Sequence, residues 1–152
     1  MTEAPALTPY LTVADARAAV DFYRRAFGAV ELGRQETPDR RKVIRVALSI
    51  NGALVMLSDD FPELTGRPVS PQALGGSPVT MHLNVPDVDA FFARAVAEGA
   101  TVTLPLADAF WGDRFGKLRD PFGHHWSVAT PVRTVTREEL EKSARERLPA
   151  HA

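Results

Sequence analysis

Two segments of the chain match each other at a fixed distance. Tyr10-Leu-Thr-Val-Ala-Asp15 and His82-Leu-Asn-Val-Pro-Asp87 lie 72 positions apart and agree at Leu11/Leu83, Val13/Val85 and Asp15/Asp87. Ala18/Ala90, Val30/Val102 and Leu32/Leu104 continue the agreement at the same offset. A period this long marks a duplicated module, not a solenoid of short repeats. Each copy opens with alternating residues, which predict a strand, and reaches an Asp placed to cap a helix. Ala19, Phe22, Tyr23, Ala26 and Phe27 follow the helical rhythm in the first copy, as do Phe91, Phe92, Ala95 and Val96 in the second. Gly28 and Gly99 then suit the left-handed position that ends a helix.

The rest of each copy reads as three strands. Residues 29–34 and 101–106 predict the first of them. Ile44, Val46, Leu48 and Ile50 alternate with Arg45, Ala47 and Ser49, the pattern of a half-buried strand. Asn51-Gly52 is a two-residue hairpin signal, and 53–58 returns. In the second copy 116–119 runs out, Asp120-Pro-Phe-Gly123 turns, and 124–129 comes back. The expected class is therefore α+β, a tandem of βαβββ modules at about 6–60 and about 79–132. Residues 61–78, with four Pro and three Gly, read as a linker. Thr136-Arg-Glu-Glu139 is a capping box, and a terminal helix over about 136–148 follows. Its thin stripe of Leu140, Ala144 and Leu148 predicts packing on the surface or on a partner subunit.

Composition narrows the function classes. The 152 residues are 45% hydrophobic and 24% charged, with net charge −1. Basic and acidic residues are mixed along the chain, so no footprint for nucleic acid is visible. The chain has no Cys, which excludes disulfides, thiolate nucleophiles and Cys-based zinc sites. No apolar run approaches the roughly 18 residues of a membrane helix, and the N-terminus lacks a basic, apolar leader pattern. The expectation is a cytoplasmic protein that engages neither nucleic acid nor membrane.

The module order, the stretch Thr12-Val-Ala-Asp-Ala-Arg-Ala-Ala-Val-Asp-Phe-Tyr23 and the turn Asp120-Pro-Phe-Gly123 together resemble the vicinal oxygen chelate superfamily. That superfamily contains glyoxalase I, bleomycin-resistance proteins, fosfomycin-resistance enzymes and extradiol dioxygenases. Phe110-Trp-Gly-Asp-Arg-Phe-Gly116 with Asp120-Pro-Phe-Gly-His-His-Trp126 is similar to its glyoxalase-like subgroup. The resemblance implies curved mixed sheets around a cavity, a homodimer, and, in the metal-dependent members, a divalent ion held by four converging side chains. Carried onto this sequence, those four positions are Thr8, Met56, Thr80 and Ser127. Three hydroxyls and a thioether suit Mg, Mn or Zn poorly, so the expectation is no metal and no cofactor.

Residues in phase with these positions should line the cavity: Tyr10, Thr12, Leu54, Met56, Thr80, His82, Asn84, His125 and Ser127. Adjacent residues point to opposite faces of a strand, so His125, not His124, shares the face of Ser127. Phe110, Trp111, Arg114 and Phe115 are expected on a loop at the rim, where an aromatic ring beside an Arg can hold a planar or anionic ligand. Trp126 is expected beneath the helices. His151 falls in the C-terminal tail. The ligand-binding set is thus Tyr10, Met56, Thr80, His82, Trp111, Arg114, His125 and Ser127, with His82 the catalytic candidate. The expected function is metal-independent capture of a small organic ligand, as in sequestration or resistance. The alternative is a glyoxalase-like lyase, isomerase or dioxygenase acting on a small oxygenated metabolite.

Overall fold

Asp15 accepts the backbone N–H of Ala18 at 3.0 Å, and Asp87 accepts that of Ala90 at 3.1 Å. Both halves of the repeat therefore launch their helix the same way. The computed structural model describes residues 3–148; His151 lies outside them. The first half builds β1 (Tyr10–Val13), α1 (Ala16–Phe27), β2 (Val30–Glu36), β3 (Val43–Ile50) and β4 (Ala53–Asp59). Then come α2 (Pro62–Thr65) and α3 (Pro71–Leu74). The second half builds β5 (Thr80–Asn84), α4 (Val88–Ala97), β6 (Thr101–Asp108), β7 (Asp113–Arg119) and β8 (His125–Pro131), and α5 (Arg137–Arg147) follows.

The class is α+β, and the sheets are mixed. One sheet has strand order β1-β4-β3-β2 and the other β5-β8-β7-β6. β1 runs parallel to β4 and β5 to β8, while the hairpins are antiparallel. Neither sheet closes on itself. Gly28 ends α1 at φ 66°, and Asn51 makes its hairpin at φ 47°. The predicted linker holds two single-turn helices. Each has Pro in its first turn and ends at a left-handed glycine, Gly66 or Gly75, and Ser70 caps α3. Proline's fixed φ suits a first helical position as well as a loop, so composition alone did not separate the two.

A single core joins the halves. α1 turns Val20, Phe22, Tyr23 and Phe27 inward onto Val46, Leu48, Ile50 and Leu57. At about 1.5–3 kcal/mol for each large apolar side chain removed from water, this face dominates the helix's stability. α1 and α4 lie together, and Phe27 meets Phe91 and Trp126 at ring-centroid distances of 5.0 Å. Trp126 is buried, as its strand phase requires.

Asp120 stands where the halves meet. Expected only to shape a turn, it is a buried carboxylate with four donors. Oδ1 accepts the backbone N–H of Phe122 at 2.9 Å and of His124 at 3.0 Å. Oδ2 accepts Trp126 Nε1–H at 2.8 Å and the Tyr23 hydroxyl. Burial, then the Asp120 charge, raises the Tyr23 phenol well above its ordinary value. His124, also buried, bonds through Nε2 to the Thr12 carbonyl at 2.9 Å. Among the described residues no helix is long and apolar enough to cross a membrane.

Candidate functional site

The helices cover one face of each sheet and leave the other uncovered. In the second sheet the inward positions are Leu83, Trp126, Val128 and Leu118. The positions on the other face are Thr80, His82 and Asn84 on β5, His125 and Ser127 on β8, and Phe115, Lys117 and Arg119 on β7; among them Ser127 is buried beneath its neighbours at 5% exposure. In the first sheet Tyr10, Met56 and Ala47 lie in register on the equivalent face. Tyr10 is 49% exposed, and its hydroxyl reaches across the sheet to the Ile44 carbonyl at 3.1 Å.

The duplication extends to the strand register. Tyr10 is the Cα partner of Met56, and His82 is the partner of Ser127. Thr80 pairs with His125. Thr8 precedes β1 and lies along a groove of about 630 Å³ at the seam between the halves, with Leu7, Leu54, Val79, Thr80 and His82. That groove is mostly apolar. A larger groove of about 750 Å³, on the helix side, carries Arg17, Lys42, Asp59 and Asp60. Asp59 there accepts the backbone N–H groups of Ala16 and Val43, each at 2.7 Å, so both its oxygens serve the fold.

His82 has two close partners. Its Nδ1 lies 2.8 Å from Ser127 Oγ and its Nε2 lies 3.1 Å from Asn84 Oδ1. An amide oxygen can only accept, so Nε2 carries a hydrogen, and in the neutral imidazole Nδ1 then receives the serine hydroxyl. Beside the imidazole runs an aromatic row. His82 and Phe115 are near-parallel at 6.1 Å, Phe115 meets Trp111 edge-on at 5.1 Å, and Trp111 meets Phe110 at 5.1 Å. Trp111 donates Nε1–H to Asp113 at 3.1 Å.

The expected rim is corrected in one respect. Arg114 does not stand with Trp111. It belongs to β7, which begins at Asp113, and alternation sends it to the helix side. There it bonds Asp89 of α4 at 3.0 Å and Asp108 at 3.2 Å. These two carboxylates raise its pKa, Asp89 the more strongly. A guanidinium already paired twice is poorly placed to hold a ligand anion. Phe115 takes the position on the uncovered face, and the alternation of Asp-Arg-Phe-Gly-Lys-Leu-Arg would have found it had the strand been started three residues earlier.

The residues at the four positions that the resemblance puts forward for chelation do not fit a divalent ion. Ser127 is engaged with His82, Met56 offers a thioether, and Thr8 and Thr80 offer neutral hydroxyls. Among the described residues no group of three or more His, Cys, Asp or Glu side chains is close enough to hold a metal.

Comparison with known proteins agrees with the architecture. An uncharacterized protein of Mycobacterium bovis is 56% identical over 138 residues, covering 90% of each chain. The crystal structure of TioX from Micromonospora is 31% identical with a TM-score of 0.65, and the match covers 85% of this chain and all of that one. The fosfomycin resistance protein FosX of Listeria monocytogenes, solved with Mn(II) and sulfate, shares the fold at 16% identity and a TM-score of 0.62, covering 93% of this chain and 99% of that one. Residues 6–128 match the model of the Glyoxalase/Bleomycin resistance protein/Dioxygenase superfamily.

Proposed function

Because the chain belongs to the Glyoxalase/Bleomycin resistance protein/Dioxygenase superfamily, where one fold serves many reactions, we propose that it is a metal-independent protein that binds a small planar organic molecule. The carrying observation is the aromatic row that starts from His82 on the sheet face and runs through Phe115 and Trp111 to Phe110. Aromatic faces take a planar ligand by offset or edge-on stacking, at about 0.5–1.5 kcal/mol beyond the area buried. Thr80, His125, Ser127 and Lys117 supply polar groups beside the row, the usual mix of a small-molecule site. Sequestration needs affinity alone, so it tolerates Thr8, Met56, Thr80 and Ser127 at the chelating positions.

The protein works as a cytoplasmic homodimer in this reading. Leu7 and Tyr10 stand exposed beside the seam and Leu104 on the second sheet's open face, and a second copy laid against these surfaces turns an open face into a pocket. Met56 and Tyr10 from one sheet then contribute to the lining.

A thermal-shift series over planar aromatic carboxylates and neutral aromatics tests the reading, with elemental analysis of the same protein. A bound ligand raises stability with its concentration over its dissociation constant. The expected result is a saturable rise that Trp111→Ala and His82→Ala abolish, with no stoichiometric metal. One tightly held divalent ion per chain would favour the lyase, isomerase or dioxygenase reading instead.

A further inference from the structure

We propose that Ser127, His82 and Asn84 form a nucleophilic triad that cleaves esters of planar aromatic acids. The inference rests on the preceding reading in one respect: the same sheet face receives the small molecule. Its own support is the hydrogen-bond order. Both nitrogens of His82 are committed, Nε2–H to Asn84 and Nδ1 to Ser127. The imidazole can therefore take a proton at Nδ1 only from the serine hydroxyl, or from a group that displaces it. A nucleophile bonded to a base that a third side chain orients is the recurring arrangement of covalent catalysis. Three strand positions fix it. His82 and Ser127 are register partners on parallel β5 and β8, and Asn84 is two residues along β5 on the same face. Such positions hold geometry better than loops do.

The surroundings indicate the substrate class. Phe115 and Trp111 continue from His82 as a wall for a flat acyl group. Lys117 is the register partner of Ser127 on β7, and it makes no ion pair among the described residues. Neighbours in register share a face, so its flexible side chain rises beside Ser127 and is assigned the charge that develops on the carbonyl oxygen. In the first step Ser127 Oγ attacks the acyl carbon and its proton passes to His82 Nδ1. The carbonyl pair moves onto oxygen beside Lys117. Collapse restores the carbonyl and breaks the bond to the alcohol oxygen, which takes the proton from His82. Water then attacks the acyl-serine, giving one proton to His82. Ser127 leaves as the acid forms and takes that proton back. The sum is ester plus water to acid plus alcohol.

The test uses the full chain and p-nitrophenyl benzoate. The expected result is a burst of p-nitrophenolate of one equivalent per chain, a mass gain of one benzoyl group, and its location on Ser127 by peptide mapping. Ser127→Ala abolishes the burst, Ser127→Cys moves the acyl group to sulfur, and His82→Gln slows acylation by about 10²–10⁴-fold. Asn84 positions His82, so Asn84→Ala slows acylation without weakening the thermal shift produced by benzoate, and Asn84→Asp restores the rate. Thermal unfolding of each variant separates lost chemistry from lost fold. Absence of an adduct, or an adduct confined to lysines, overturns the triad. Benzoate stabilisation retained in that case leaves the binding reading standing; failure of the whole aromatic series removes the binding reading as well.

Discussion

Tyr23 and Asp120 sit 97 residues apart in sequence and share a buried hydrogen bond. The phenol must stay protonated to donate it, and burial opposes its ionisation further. Its folded pKa lies above the unfolded value of about 10. Above pH 10 the unfolded chain releases a proton that the folded chain keeps, so this contribution is complete below pH 10 and is lost as pH rises toward the folded pKa. Tyr23→Phe should cost about 1.5–3 kcal/mol at neutral pH, the range for a hydrogen bond to a charged group. In urea titrations the gap between variant and parent should narrow above pH 10. A gap that stays constant to higher pH contradicts the assignment. The bond was not legible in the sequence, because each partner sits in a motif with a sufficient local explanation, a helix face for Tyr23 and a turn for Asp120. The pairing of His82 with Ser127 was closer to the surface of the sequence, since both lie in phase with positions fixed by the duplication.

Among the elements, the connection from β6 to β7 sets Trp111. Gly112 follows it at φ 103°, and a Cβ there would come within 2.5 Å of the Arg133 carbonyl oxygen. The same glycine's carbonyl accepts the N–H groups of Val132 and Arg133. Gly112→Ala therefore meets both a left-handed backbone and a rigid neighbour. A loss of about 1–3 kcal/mol is expected by thermal unfolding, together with weaker ligand-induced stabilisation because Trp111 shifts. Unchanged stability would refute the close approach. Strands and long helices were readable because their periodicities are local properties of ten or so residues. The boundary at β7 was not. Asp113, Arg114 and Phe115 follow Trp-Gly and read as loop, and only pairing with Ala129, Thr130 and Pro131 of β8, and with Ala107 and Asp108 of β6, makes them strand. That shift of three residues separated Arg114 from the site and put Phe115, expected on a rim loop, onto the strand face itself.

For the whole molecule the decisive fact is that the halves share one core and one carboxylate. Asp120→Ala strands four donors, from Tyr23, Phe122, His124 and Trp126, all but that of Phe122 buried. Unsatisfied buried groups cost about 1–3 kcal/mol each, with partial relief by relaxation, so a loss of about 3 kcal/mol or more is expected. For a chain of this size that lowers Tm by roughly 10 °C. Since donors from both halves are involved, the parent should unfold in one transition with equal calorimetric and van't Hoff enthalpies. Two resolved transitions in the parent would show that the halves are independent. The shared core also divides the two tryptophans. Trp126 is sealed at 1% exposure, while Trp111 is 40% exposed within the aromatic row. The protein thus carries two native fluorophores with separate duties. Iodide should quench the red-edge emission of Trp111 and spare the blue emission of Trp126. A ligand on the sheet face would protect the first, and only loss of the fold would expose the second.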